Sequence, residues 1–238
     1  MTSDAPGANL APPIVPGRVR LAIERPDPDV LDALARFPPG LISDCQNRMG
    51  AMDGRIRSLL PGRSFCGPAI TVEEVEGGNL MSHAALELTQ PGDVLVIDAK
   101  GITTRACWGA VQTLAAERLR LAAVVVNGVV RDRADVALRS MPIYALGTSP
   151  GGPLKGWGGN VNLPIACGGV AVCPGDVVVG DDDGVVVVAR NLAGELPELC
   201  ARRQTLEQGW AEQVEGGAST VDAVGLRGSL DHQGVRYE

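Results

Sequence analysis

Six consecutive apolar residues, Leu121 to Val126 (LAAVVV), read as a strand buried in the middle of a sheet. A polar step at Asn127-Gly128 follows, then two valines and an adjacent pair, Arg131-Asp132. Beyond the pair come a short helical piece and a second strand ending near Gly147. A rigid strand that delivers Arg and Asp to its exit, with a loop to expose them, is an arrangement suited to a site. The same pair can cap the next helix or form a surface ion pair, and spacing alone leaves both readings open.

At 238 residues and 24.7 kDa the chain fits one large domain better than two. Only 3% of it is aromatic, so the core must be built from Val, Ala, Leu and Ile, and branched Val favours sheet. With 21 basic and 28 acidic residues the net charge is -7, and no long basic run or basic-aromatic alternation argues for a nucleic-acid partner. The six cysteines form no CxxC pair and read as packed thiols of a reducing cytosol. Two histidines are too few for a histidine-rich zinc site. The start, MTSDAPGANLAPPIVPG, lacks the pattern of a signal peptide, and no apolar run reaches membrane-spanning length. The expectation is a cytoplasmic protein without membrane contact, carrying a flexible arm over residues 1–17.

In chain order, the spacing of Val30, Leu31, Leu34 and Phe37 predicts a helix over 26–37. Ser43 or Asp44 would cap another helix running through Met49, with Asp44, Asn47 and Arg48 on its polar face. The strand AITVEEV is followed by a Gly77-Gly78-Asn79 turn and a short helix with His83 in its first turn. There a neutral imidazole can face a polar ligand, although a lone histidine serves more often as a structural residue. VLVIDAKG reads as a buried strand, and 103–119 as a helix with Gly101, Thr103, Thr104 and Gly109 near its start. Backbone amides there could approach a small anion. The strand-helix alternation from Ala69 to Val136 gives the fold class: α/β, a central or barrel-like sheet flanked by helices. The Gly-rich stretch 148–165, with Trp157, reads as a lid or a subunit contact. Asp181-Asp182-Asp183-Gly184 reads as a hairpin turn between valine strands rather than a calcium loop, which needs spaced ligands and a closing Glu. From Leu192 to Val214 the chain reads as helix. Nucleotide-binding glycine motifs and G-x-S-x-G are missing, which disfavours nucleotide-dependent and serine-hydrolase chemistry.

The segments SHAALELTQPGDVLVIDAKG, ACWGA, VVVNGVVRDRADV, MPIYALG and CPGDVVVGDDDGVVVV occur in an order that resembles the RraA-like family. That family includes the 4-hydroxy-4-methyl-2-oxoglutarate/4-carboxy-4-hydroxy-2-oxoadipate aldolases and the ribonuclease E inhibitor. The resemblance implies an RraA-like α/β domain over 18–190. It also implies a C-terminal helix and extension over 191–238 at the interface of a homo-oligomer, a trimer or a pair of trimers. In the aldolase members the Arg of the pair contacts the pyruvyl part of the substrate and the Asp helps hold a divalent metal, which points here to Arg131 and Asp132. Backbone amides at Val111 and Gln112 would bind the carboxylate, and Asn79 and His83 match polar positions nearby. A Glu from a neighbouring subunit approaches the metal, and Glu207 is the match.

Two positions depart from the aldolase pattern. Ala110 stands where an acidic residue is expected, with twenty positions between it and Arg-Asp, and Asn127 replaces an Asp before the glycine at 128. The expectation is two carboxylates missing near the metal. The only lysines, Lys100 and Lys155, are not evident Schiff-base candidates, so a Mg2+- or Mn2+-dependent route is preferred to an imine. The implied activity is retro-aldol cleavage of a small 4-hydroxy-2-keto acid with release of pyruvate, and the same enolate chemistry permits oxaloacetate decarboxylation. The alternatives are a non-catalytic regulator that binds a ribonuclease or helicase, and altered chemistry on another small keto acid.

Overall fold

The computed structural model describes residues 16–156 and 158–238. The expected arm therefore lies, apart from its last two residues, outside the described residues, and so does Trp157. The elements in chain order begin with β1 (Arg18–Val19), α1 (Pro28–Leu34), α2 (Pro39–Cys45), β2 (Arg57–Ser58), β3 (Phe65–Glu73) and α3 (Leu80–Leu86). Next come β4 (Val94–Asp98), β5 (Ala106–Trp108), α4 (Ala110–Arg118), β6 (Ala123–Val130), α5 (Arg133–Ala137) and β7 (Ile143–Thr148). The short strands β8 (Asn160–Val161), β9 (Ile165–Cys167) and β10 (Val170–Val172) lead to the hairpin β11 (Val177–Asp181) and β12 (Gly184–Val188). The helices α6 (Leu196–Glu215), α7 (Thr220–Ala223) and α8 (Arg227–His232) close the chain.

The centre of the sheet is β3-β4-β6-β7, all parallel. The valine runs are continuous because both faces are covered. Along β6, Val124 and Val126 join Ile70, Val72, Leu95 and Ile97 in a core under α3 and α4. The alternate residues Ala123 and Val125 join Val94 and Val96 in a second core. The second core is closed by strand residues, among them Ile165, Val172, Val178, Val185 and Val187. There Phe65 meets Tyr144 edge-on, with ring centroids 5.2 Å apart. A third core lies between the β11–β12 hairpin and α2 and α6. Each fully buried valine contributes about 1.5–3 kcal/mol, so the sheet needs few aromatics. This is the α/β architecture with flanking helices, and the Asp-Gly turn does close an antiparallel hairpin.

Three local readings need correction. The strand β6 does not stop at Val126: it runs through Asn127-Gly128 to Val130, with a register shift against β7 between Val126 and Val129. Gly128 is required in that strand, since a Cβ there would sit 2.8 Å from Ala99 Cβ. The expected helix over 103–119 is a short strand, β5, beside the end of β6, followed by α4 from Ala110. No helix runs to Met49 either. Here α2 begins at Pro39 and ends at Cys45, and Asn47 and Arg48 are both left-handed (φ 56° and 62°). Asp44 lies in the last turn of α2 and pairs with Arg203 of α6 at 3.2 Å.

Candidate active site

The exit of β6 sets the site. Arg131 N–H donates to Trp108 O at 3.0 Å, which ties the end of β6 to β5. Asp132 follows in the left-handed region (φ 60°), a conformation Asp tolerates better than most residues at a cost of about 1–3 kcal/mol. Although Asp132 stands at the N-cap of α5, its side chain does not cap that helix. The carboxylate turns back instead, and Oδ2 accepts from Ala110 N–H at 3.1 Å, the first residue of α4. Arg131 Nε lies 3.6 Å from the same oxygen, and both side chains are about 40% exposed, so their mutual attraction is weak. The pair is thus aimed at the start of α4 rather than at the following helix.

Close approach is permitted by Gly109. A Cβ there would meet Asp132 Oδ2 at 2.7 Å and Arg131 Cγ at 3.1 Å. The turn into α4 is locked by Thr113, whose hydroxyl accepts from Trp108 Nε1 and donates to Gly109 O, each at 2.9 Å. Trp108 is buried, so this indole bond also satisfies its polar edge. With Ala110 N–H taken by Asp132, the amides of Val111 and Gln112 have no partner among the described residues. They lie at the positive end of the nine-residue helix α4.

The opposite wall comes from α3. Its N-cap residue is Asn79, whose side chain makes no cap bond. The fully buried Glu74 caps the helix instead, accepting from Ser82 N–H and Ser82 Oγ at 2.6 Å each and from Met81 N–H at 3.3 Å. Burial pushes the Glu74 carboxyl up despite those bonds. Glu74 therefore positions α3 and leaves Asn79 free to face the cavity. The sequence reading missed it; its signal is an acid seven to eight residues ahead of Met81 and Ser82, a spacing no local motif encodes. His83 is the fourth residue of α3, one step beyond the first turn expected for it. Burial, and then the Lys155 charge, hold its pKa below the usual histidine value. Lys155 Nζ stands 3.4 Å from His83 Nε2.

Asn79, His83, Val111, Gln112, Arg131 and Asp132 all line one cavity of about 380 Å³, together with Lys155 and Gly152. Its loop wall is pinned by Ala106 N–H to Gly151 O at 2.8 Å and Leu154 N–H to Gly77 O at 2.7 Å. Glu207 is not brought there within one chain: it accepts from Arg203 Nε at 2.7 Å on α6. Nor is Asn127 a cavity residue. Its Nδ2 donates to Asp98 Oδ1 at 3.1 Å in a separate cluster, so of the two departures only Ala110 borders the Arg-Asp pair. Asp132 is the only carboxylate among the residues lining this cavity. No group of three or more His, Cys, Asp or Glu side chains suited to a metal occurs among the described residues. Not every thiol is packed, since Cys173 is exposed. No helix among the described residues is long and apolar enough to cross a membrane.

Comparison with known proteins gives a consistent picture. The family model described as RraA-like, Aldolase/RraA, matches residues 27–187. A protein of Halalkalibacterium halodurans, named "Putative 4-hydroxy-4-methyl-2-oxoglutarate aldolase", is 38% identical over 177 residues, 74% of this chain and 84% of that protein. A Bacillus cereus protein of the same name is 32% identical over 64% of this chain and 95% of its own length. Among solved structures, Streptomyces coelicolor RraAS2 is described as an unusual member of the RNase ES inhibitor RraA family. It superposes with a TM-score of 0.72 at 32% identity, over 79% of this chain and 98% of that one. RraA from Thermus thermophilis, described as an RNA-processing inhibitor, gives 0.58 at 28% identity over 63% and 91%. The chain belongs to the RraA-like family.

Proposed function

We propose that the cavity between α3, α4 and the end of β6 binds a small 4-hydroxy-2-keto acid and cleaves it by a retro-aldol reaction, releasing pyruvate. The observation that carries this reading is the convergence of the Arg131 guanidinium and the unpaired first-turn amides of α4 on one cavity lined by Asp132. The amides of Val111 and Gln112 are suited to the substrate carboxylate. Arg131 presents charged donors to the 2-keto oxygen, where negative charge grows as the enolate forms, so its contribution rises toward the transition state. Lys155 adds positive charge at the far wall, and Asp132 holds the start of α4 against the pair.

A divalent cation fits this donor set as a weakly held, substrate-shared ion. Asp132 Oδ2 is engaged by Ala110 N–H, while Oδ1 has no hydrogen-bond partner among the described residues. Magnesium is commonly held by one or two carboxylates with water and substrate oxygens completing its shell. Bound there, Mg2+ or Mn2+ would supply Lewis-acid polarisation of the keto acid. The same enolate stabilisation would serve oxaloacetate decarboxylation. Glu207 of a neighbouring copy, in a trimer or hexamer, is the further ligand the family resemblance implies.

The test is pyruvate release by the purified protein from 4-hydroxy-2-keto acids and from oxaloacetate, with magnesium present. Turnover supports the lyase. A second reading, the non-catalytic regulator, is favoured by the likeness to the RraA structures described as ribonuclease inhibitors. It requires no turnover with any keto acid and a stable complex with a ribonuclease or helicase.

A further inference from the structure

Away from the cavity, the long helix α6 is held to the body through the third core. Of its twenty residues only Leu196 and Cys200 are buried, so one of its two apolar anchors is a thiol. Helix α2 packs on α6 there, and two neighbouring contacts fix how they meet. Asp44 Oδ2 pairs with Arg203 Nη2 at 3.2 Å. Cys45, the last residue of α2, packs against the same core, and its thiol is hydrogen-bonded to that of Cys200. Cys200 and Arg203 lie three positions apart on α6 and so face α2 together.

The other thiols are placed differently. Cys107 and Cys167 are sealed from solvent, Cys66 donates to Leu31 O at 3.5 Å, and Cys173 is exposed. Among the described residues, only Cys45 and Cys200 combine thiol–thiol contact with a member that solvent reaches, since Cys45 is half-buried and Cys200 fully buried. Reach for an oxidant and a second sulfur in contact are what reversible thiol oxidation needs.

We infer that Cys45 and Cys200 are an oxidisable pair whose disulfide clips the C-terminal helix α6 to α2. The oxidant is hydrogen peroxide. The Cys45 sulfur attacks the O–O bond and keeps one oxygen as a sulfenic acid, while the other leaves as water. The Cys200 sulfur then attacks the Cys45 sulfur, gives up its proton and expels the bound oxygen as a second water. Two thiols lose two protons and two electrons, and one peroxide becomes two waters. Burial, and then the contact with Cys45, pushes the Cys200 thiol up to about 12, which makes it a poor first attacker. Its contact with Cys45 is what lets it close the bond before a second peroxide arrives. The bond joins residue 45 to residue 200, and a cross-link over so long a loop restricts the unfolded chain strongly.

The test treats the full-length protein with hydrogen peroxide, blocks the remaining thiols and compares samples with and without dithiothreitol. Trypsin leaves Cys45 alone on peptide 37–48 and Cys200 alone on peptide 191–202. Mass spectrometry should find these two joined, lighter than their sum by two hydrogens, in protein that runs as a single chain on a non-reducing gel. The Tm of the treated wild type should rise by about 5 °C or more and return with dithiothreitol. Cys45→Ser, changed at a half-buried position, should give neither the joined peptides nor the rise, and its melting transition before treatment shows that it folds. A Cys45 that stays a thiol, goes on to sulfinic acid or joins another cysteine overturns the inference. So does a joined pair whose Tm rises no more than that of treated Cys45→Ser.

Discussion

Two polar clusters sit at the carboxyl ends of the same parallel strands, and they differ in one respect. In the first, Glu73, Asp98 and Asn127 stand in register across β3, β4 and β6. Lys100 Nζ bridges Glu73 Oε1 and Asp98 Oδ2 at 2.7 Å each, Asn127 donates to Asp98, and Asn160 donates to Glu73. Every charged side chain in that row has its partner. The second cluster, a few residues further along β6, leaves two helix amides, Asn79 Oδ1 and Gln112 Nε2 without one. A closed network holds strands together, and an open one is ready to hold something else. The difference separates a structural site from a binding site where residue types alone do not, since both contain a basic side chain beside an Asp.

The largest effect that would break this contrast is expected at Arg131. Arg131→Lys keeps the charge but loses the planar fork of donors, and should lower turnover by about tenfold or more. Steady-state kinetics on a variant of unchanged thermal stability checks it, and unaltered kinetics would move the active site elsewhere. In the closed cluster the same kind of change should act on stability alone. Lys100→Met leaves the nearly buried Asp98 without its cation and should cost about 1–3 kcal/mol in chemical denaturation, with turnover unchanged. The Lys100 bond, with that of Asn160, also holds the Glu73 carboxyl below its usual range. Its stabilisation is therefore present above the ordinary carboxylate pKa and is lost as pH falls through the lowered one. Lys100→Met should blunt that acid loss.

Much of this was readable in the chain, and the exceptions have physical causes. The LAAVVV run read as a strand with two buried faces, and from Ala123 onward it is one, while Leu121 and Ala122 precede the strand; Asp-Gly between valine runs read as a tight turn and closes the hairpin. The stretch 103–119 misled because Ala106, Ala110 and Leu114 recur every four residues, as on a helix. In the fold Ala106 packs as strand, while Leu114 and Val111 are exposed on α4. Asn127 looked like a lost metal ligand because it replaces an Asp of the family pattern before the glycine at 128, but side chains in a strand alternate and advance about 3.3 Å per residue, and Asn127 lies outside the cavity, bonded to Asp98. The partnership of Glu74 with α3 and that of Asp132 with Ala110 are contacts between separate elements, and no local pattern encodes them.

A smaller change is expected at His83, on the wall of the open site. His83 is kept neutral first by burial and then by Lys155. In Lys155→Met its pKa, followed by NMR titration, should rise while remaining below the usual histidine value, because burial is the larger cause. In the wild type, the contribution of neutral His83 to stability is present above the ordinary histidine pKa and is lost as pH falls through the lowered one. A His83 pKa unmoved by Lys155→Met would show that the two side chains do not share the cavity wall in solution.

In the proposed lyase, Asp132 serves keto-acid chemistry at the start of α4 even though Ala110 supplies no carboxylate. The decisive measurement is pyruvate release from a 4-hydroxy-2-keto acid, with and without chelator, for the wild type, Asp132→Ala and Ala110→Asp. Chelator should remove the activity, Asp132→Ala should lower it by about tenfold to a hundredfold, and Ala110→Asp should saturate at lower magnesium. Activity that is insensitive to chelator, or that survives intact in Asp132→Ala, would contradict that reading.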